Sequence, residues 1–293
     1  METVFVTGAT GFIGTYLLRE MIKCGEFAQI CALYRSEIPF KDEKICWIRG
    51  DMEHLPNFSA SDGITKVIHC AALMDGVVSP KVLYQTNVKW TEQILSLCRS
   101  SGAKELILFS SVNVHLKHDG AYAKSKKRME ELAKQSAIPV KIIRPALVFG
   151  NGKNGITKLI KYIRRFPVIP VFGNGRAKEQ PIYVEDLAKL SVKYILDKKA
   201  GPVIDLYGSE AMEYNHMLQK IAAAQKKRIW ILHLPFGLFY SLVFLLERIN
   251  LKLPVSAEQL AHIHEDLTGA MEPIYKRYDV SPKDFAGYLR MLS

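Results

Sequence analysis

Val4-Phe-Val-Thr-Gly-Ala-Thr-Gly-Phe-Ile-Gly14 stands at the head of the chain, with Gly8, Gly11 and Gly14 three residues apart. Residues 3–7 form a β-branched and aromatic run of the kind that makes a buried parallel strand. The amphipathic stretch from Ile13 to Cys24 follows the glycines as a helix. A strand, a glycine turn and a helix together make the phosphate-binding start of a doubly wound fold. Gly8 permits the tight turn, Gly11 lets the backbone approach a pyrophosphate, and Gly14 lets the helix pack close to the strand. The helix N-terminus then offers free N–H groups to the anion. The spacing is G-x-x-G-x-x-G, not the commoner G-x-G-x-x-G, and taken alone it reads equally as an ordinary glycine-rich turn.

Further along, apolar runs at 29–34, 45–49, 66–70, 105–110 and 139–144 alternate with helical patterns. That alternation predicts an α/β fold, a doubly wound parallel (Rossmann) sheet with helices on both faces. A chain of 293 residues holds such a domain plus a smaller C-terminal substrate lobe. The expected division puts residues 1–150 in the dinucleotide-binding domain, with a return at about 180–207. Residues 151–179 and 208–293 then form the substrate lobe, opened by the loop Gly150-Asn-Gly-Lys-Asn-Gly155. No internal repeat or low-complexity linker separates the two.

A series of short motifs punctuates this frame: Gly50-Asp-Met52, His69-Cys-Ala-Ala-Leu73, Asn87-Val88, Phe109-Ser-Ser-Val-Asn-Val114, Tyr122-Ala-Lys-Ser-Lys126, Arg144-Pro145 and Tyr183-Val-Glu-Asp-Leu187. Tyr122 and Lys126 lie four apart on a helix expected from Tyr122 to about Gln135, so they share a face. With the glycine turn, the series resembles the extended short-chain dehydrogenases/reductases, the NAD-dependent epimerase/dehydratase family. The resemblance runs from residue 3 to about residue 230.

The resemblance implies a Ser-Tyr-Lys triad of Ser111, Tyr122 and Lys126. Tyrosine titrates near pH 10 when free, and a nearby ammonium together with the nicotinamide charge favours the phenolate. Tyr122 is then the acid when a ketone is reduced and the base when an alcohol is oxidised. Ser111 hydrogen-bonds the reacting oxygen, Lys126 also holds the nicotinamide ribose, and Asn87 supports the lysine through a water. Gly8, Thr10, Gly11, Phe12, Ile13 and Gly14 are the implied contacts to the dinucleotide. Asp51 and the Met52 backbone take the adenine, while Ala71 and Ala72 leave room for ribose and pyrophosphate. Pro145 borders the nicotinamide. Arg176 and Tyr183 are the expected substrate contacts, with Gln180 a further pocket-lining residue and no metal ligands. Val112-Asn113 stands where sugar-nucleotide dehydratases carry Asp-Glu, which argues against dehydration. His115 receives no role.

The second strand ends in Tyr34-Arg35-Ser36, without the acid that holds a ribose 2′-hydroxyl in NAD sites. A guanidinium grips a 2′-phosphate through parallel hydrogen bonds, so Arg35 favours NADP, with NAD left open.

The net charge of +11 suits phosphorylated substrates, and no aromatic-and-basic motif points to nucleic acid. The basic run Lys158, Lys161, Arg164 and Arg165 is expected as a solvated face. Residues 234–246 are apolar but too few to span a bilayer, which takes roughly 20. They read as a buried helix ahead of an in-plane membrane anchor. Five cysteines without ligand spacing, and no leader pattern before the first strand, suggest a cytoplasmic setting. A homodimer through the helices of Asn87 and Tyr122 is what the resemblance implies.

The functional reading is an NADP-dependent reductase or dehydrogenase of a carbonyl/alcohol pair, on a nucleotide-linked sugar. An NAD-retaining sugar-nucleotide epimerase and a non-catalytic dinucleotide-binding subunit are its alternatives. A lipid or sterol substrate is a fourth reading, resting on the apolar run.

Overall fold

The computed structural model describes residues 2–74, 79–235 and 265–292. Most of the apolar run at 234–246 therefore lies outside the described residues. Seven parallel strands form the main sheet: β1 (Glu2–Thr7), β2 (Phe27–Tyr34), β3 (Ile45–Arg49), β4 (Ile64–His69), β5 (Glu105–Phe109), β6 (Val140–Pro145) and β11 (Val203–Leu206). Their spatial order is β11-β6-β5-β4-β1-β2-β3. The order reverses between β1 and β4, and in open α/β sheets the crevice at such a point, beyond the carboxyl ends of the strands, is where ligands bind.

The inner strands carry apolar residues at successive positions because helices cover both faces of the sheet. Val4, Val6, Ile30, Ile68 and Ile107 face Leu17, Leu18 and Met21 of α1 (Phe12–Cys24) and Leu187 and Leu190 of α5 (Val184–Leu196). The alternate residues Phe5, Cys31, Val67, Leu106 and Leu108 face α2 (Pro80–Ser101) and α3 (Ala121–Gln135) through Ile94, Cys98 and Met129. Gly25 and Gly102 take left-handed conformations after α1 and α2, at φ +73° and +67°, where glycine carries no Cβ penalty.

The smaller lobe has its own core. Strands β7 (Val148–Phe149) and β10 (Ile182–Tyr183) pair in parallel, as do β8 (Val168–Phe172) and β13 (Trp230–Leu234). A third pair, β9 (Lys178–Glu179) and β12 (Met212–Glu213), is antiparallel. Around them lie α4 (Gly155–Arg165), α6 (Tyr214–Ala224) and α8 (Phe285–Arg290). Phe149 sits at the centre, its ring 5.1 Å from those of both Phe285 and Tyr288.

Two assignments differ from expectation. Leu267, Met271, Tyr275, Tyr278 and Val280, around α7 (Glu272–Arg277), pack into the core of the main sheet, although the sequence grouped all of 208–293 with the lobe. Tyr183 is buried in the lobe core, its hydroxyl donating to Glu185 (3.2 Å), so it lines no open pocket. Burial hides such contacts from sequence because the partners lie far away along the chain.

A charged pair joins α3 to the sheet. Arg144 donates twice to Glu130, from Nε at 2.8 Å and Nη2 at 2.6 Å, and Lys134 adds a third bond. Burial alone would raise the Glu130 carboxyl, but Arg144 first, with Ser110 and Lys134, outweighs it and holds the group below its usual value. Removing one partner of a buried pair strands the other charge, at a cost of about 3–5 kcal/mol. Arg144→Met should therefore lower the unfolding free energy by about that much in urea at pH 7. A depressed carboxyl contributes stability above its unfolded value and loses it as pH falls through the folded one. The gap between the variant and the unsubstituted protein should accordingly narrow as pH drops below about 4, as urea midpoints across pH would show.

Candidate active site

The glycine turn lies at the switch point of the sheet, and its geometry leaves no room for side chains. Gly8 has φ +70°, and a Cβ there would come within 2.6 Å of the Ala71 nitrogen. A Cβ on Gly14 would meet the Gly8 carbonyl oxygen at 2.1 Å, and one on Gly11 would meet it at 3.1 Å. Gly11 N donates to the same oxygen (3.0 Å) and begins α1 without a side-chain cap or an acid in the first turn. The open helix start around Thr10, Phe12 and Ile13 is a ready anion site. A dinucleotide pyrophosphate fits this cradle, since the glycines bring bare backbone to its surface. Phe12 stacks edge-on with Tyr16 (5.9 Å), whose hydroxyl donates to Asn151 O (2.9 Å), tying the turn to the loop that opens the lobe.

Around the cradle, Ala71 and Ala72 are half-buried at the end of β4, and Met52 is buried against the sheet. Asp51 Oδ1 accepts from the backbone of Glu53 (2.9 Å) and His54 (2.8 Å). The His54 and Glu53 amides, with the His54 side chain, hold this carboxyl below its ordinary value. It shapes its own turn and keeps its second oxygen for another donor. Arg35 is exposed at the end of β2.

Tyr122 and Lys126 lie one turn apart on α3, and Lys126 reaches the end of β5. Lys126 is buried, donates to the Phe109 carbonyl (2.8 Å), and holds its nitrogen 5.7 Å from the centre of the Tyr122 ring. Burial pulls its amine down to about 8, against the opposing influence of Cys70 and Glu130. His69 is fully buried too, with Nδ1 bonded to Thr7 Oγ1 (2.7 Å) and Nε2 without a partner among the described residues. Burial and then the Lys126 charge hold its imidazole neutral, at about 3. The sequence placed His69 in a motif but gave it no task, and nothing local signals its buried, half-satisfied state.

Ser111 starts a short 3-10 turn; its hydroxyl donates to Asn113 Oδ1 (3.0 Å) and accepts from Asn113 N (3.2 Å). Asn87 is fully buried and bonds both backbone groups of Leu73, at 2.8 and 3.1 Å, and Ser125 Oγ at 3.1 Å. Its polar atoms thus tie the loop after β4 to α3, the helix that carries Lys126. His115, left without a role, bonds Asp205 (2.7 Å), which Arg144 also reaches (3.3 Å).

On the substrate side, Pro145 is buried at the end of β6 and pairs in register with Leu206. Arg176 is exposed and lines a shallow depression with Asn174, Asn215 and His233. Gln180 does not line the pocket. Its amide donates to Gly208 O (2.7 Å) and Gly269 O (3.1 Å) and accepts from Gly269 N (2.9 Å), a bracket between distant segments. Lys158, Lys161, Arg164 and Arg165 are all exposed. Among the described residues no group of His, Cys, Asp and Glu could hold a metal ion, and no helix is long and apolar enough to cross a membrane.

This combination of a bare-backbone cradle and a buried lysine beside a tyrosine defines a class. A profile described as the NAD dependent epimerase/dehydratase family matches residues 4–207. The chain belongs to that family, whose members are enzymes of the short-chain dehydrogenase/reductase type. It is 25% identical over 299 aligned positions to a UDP-glucose 4-epimerase of Vibrio cholerae, covering 91% of this chain and 90% of that protein. It is 25% identical to a dTDP-4-dehydro-6-deoxy-D-allose reductase of Streptomyces bikiniensis, over 76% of this chain and 81% of the other. The fold matches a solved UDP-glucuronic acid 4-epimerase from Bacillus cereus in complex with NAD. That match has a TM-score of 0.74 at 18% identity and covers 98% of this chain and 94% of the other.

Gly14→Ala tests the cradle. The added methyl must displace the Gly8 carbonyl or the start of α1, and overpacking of this kind costs about 1–3 kcal/mol. Dinucleotide affinity should fall at least about tenfold by titration calorimetry, which is about 1.4 kcal/mol. An unchanged affinity would show that the turn yields without cost.

Proposed function

We propose that this chain interconverts a carbonyl and an alcohol on a nucleotide-linked sugar, with Ser111, Tyr122 and Lys126 handling the reacting oxygen and its proton. The observation that carries this reading is the Lys126 amine, buried on the same helical face as Tyr122 and bonded to the end of β5. A nicotinamide dinucleotide held in the glycine cradle would supply or take up the hydride. Tyr122 gives its proton to the oxygen of a carbonyl being reduced, or takes one from an alcohol being oxidised. Lys126 sets a positive charge beside the ring, where negative charge on the phenol oxygen is accommodated. Two of its three N–H donors remain for ribose hydroxyls once the Phe109 carbonyl is satisfied. Ser111 reaches the substrate oxygen by turning its hydroxyl away from Asn113.

Arg35, exposed where an NAD site carries an acid, supports NADP as the cofactor. Arg176 beside Asn174 and Asn215 supports a phosphate-bearing substrate. The reductase of Streptomyces bikiniensis is a relative with this kind of reaction. A second reading is favoured by the likeness to the Vibrio cholerae epimerase and to the Bacillus cereus epimerase with NAD. In it the same residues oxidise the sugar and reduce it again from the other side, with NAD retained throughout.

Denaturing the purified protein and chromatographing what it releases separates the two. Stoichiometric NAD supports the epimerase. A protein that comes empty and then binds NADPH ahead of NADH supports the reductase. Tyr122→Phe should reduce turnover by about 10²–10⁴-fold, the usual share of acid–base catalysis, with cofactor affinity kept within about twofold. Unchanged turnover would overturn the mechanism. Because the Lys126 amine titrates at about 8, its charge is present below that pH and lost above it. The pH profile of kcat/KM should therefore bend downward above about pH 8.

A further inference from the structure

The positive charge of the chain is unevenly placed. Residues 151–172 contain five lysines and arginines and residues 214–235 contain four, with no aspartate or glutamate in either stretch. These 44 residues hold a balance of +9 out of +11 for the whole protein. The fold brings the two stretches together. Gln225 donates to the Ile160 carbonyl (3.2 Å), and Trp230 N donates to the Pro167 carbonyl (2.8 Å). The end of α4 and the turn before β13 are thereby held side by side. Arg164, Lys226 and Lys227 line one depression there, over Ile160, Ile221 and Leu292. Lys226 takes a left-handed backbone, φ +54°, at the turn that presents these lysines.

Next to this depression lies an apolar face open to water. Trp230 is 76% exposed, Leu232 51%, Val168 44% and Phe166 42%. The register of β8 and β13 pairs Trp230 with Val168 and Leu232 with Pro170, so these four share one side of the ribbon. Ile169 and Val171, pointing the other way, are buried in the lobe core. The exposed Tyr162 ring lies 4.7 Å from that of Phe166, and the Arg165 guanidinium sits over the Phe166 ring at 5.7 Å. Basic and apolar surfaces are three residues apart on both stretches, from Arg164 to Pro167 and from Lys227 to Trp230.

We propose that this face docks the protein onto an anionic phospholipid surface. Arg164, Lys226 and Lys227 meet headgroup phosphates, while Trp230, Phe166 and Leu232 enter the interfacial layer. Exposed tryptophan beside clustered lysine and arginine is the composition that suits this boundary, where an amphipathic ring finds both media and cations find negative potential. Charge argues against a second copy of the chain as occupant, because a two-fold contact would press like charges together. The side chains of Val168, Pro170 and Leu232 carry no donor or acceptor with which to read the base edges of a nucleic acid.

Flotation of the full chain tests the proposal, with vesicles of phosphatidylcholine alone and of phosphatidylcholine mixed equally with phosphatidylglycerol. The protein should float with the mixed vesicles, stay down with the neutral ones, and be released by salt. Trp230→Ser alters an exposed side chain, and should keep the thermal melt of the parent while cutting vesicle binding at least about tenfold. The combined variant Arg164→Glu, Lys226→Glu, Lys227→Glu should cut it further; if that variant does not fold, Trp230→Ser decides alone. No flotation at low salt would overturn the proposal, as would flotation that Trp230→Ser leaves unchanged. Binding to heparin or to an acidic protein without vesicle binding would also overturn it.

Discussion

Three pieces of backbone meet at the head of α1 with no side-chain volume between them, and the site is built outward from that contact. Gly14 rests on the Gly8 carbonyl, Gly8 rests on Ala71, and Gly11 closes the turn by a hydrogen bond to the same carbonyl. The contact lies between β1 and β4, where the strand order reverses. It fixes the distance from helix to sheet and leaves the amides of the helix start uncovered. Asn87 extends this arrangement: by holding both backbone groups of Leu73 and the hydroxyl of Ser125, it sets α3 at a fixed distance from the loop that follows Ala71.

The second constraint is dryness. Lys126, His69 and Cys70 occupy one region where charge is costly. The lysine amine is pulled down, the imidazole is held neutral, and the Cys70 thiol is pushed up. A cation there has strong reach, since little water screens it. The Tyr122 ring, 5.7 Å away, lies within that reach.

Much of this was legible in the sequence, and for definable reasons. The main strands announced themselves as short, mostly apolar runs because helices cover both faces of the inner ones. Gly8, Gly11 and Gly14 could be read because close approach admits no other residue. Tyr122 and Lys126 could be read because helical spacing puts positions four apart on one face. What escaped reading depends on partners far along the chain. Tyr183 sits in a motif beside the site, yet its ring belongs to a core completed by Phe285 and Tyr288, about a hundred residues later. Gln180 braces Gly208 and Gly269, and no local pattern marks a bracket. Val280 and its neighbours pack into the core of the main sheet, against strands that lie far earlier in the chain. The charge at residues 151–172 and 214–235 was visible as composition, but only folding shows that the two stretches adjoin.

The edge strand β11 has a consequence for how the chain is made. β11 pairs with β6 in parallel, Val203 beside Ile142, so the two partners are separated by the whole of α4, β8 and α5. During synthesis six strands leave the ribosome while the seventh is still unmade, and β6 waits with its outer edge bare. Long-range parallel pairing closes slowly because the loop entropy is spent before any contact rewards it. An unpaired β6 edge is also a template for another chain. The interval between residues 145 and 203 is thus when the nascent protein is most exposed to aggregation, and when a chaperone would have most to protect.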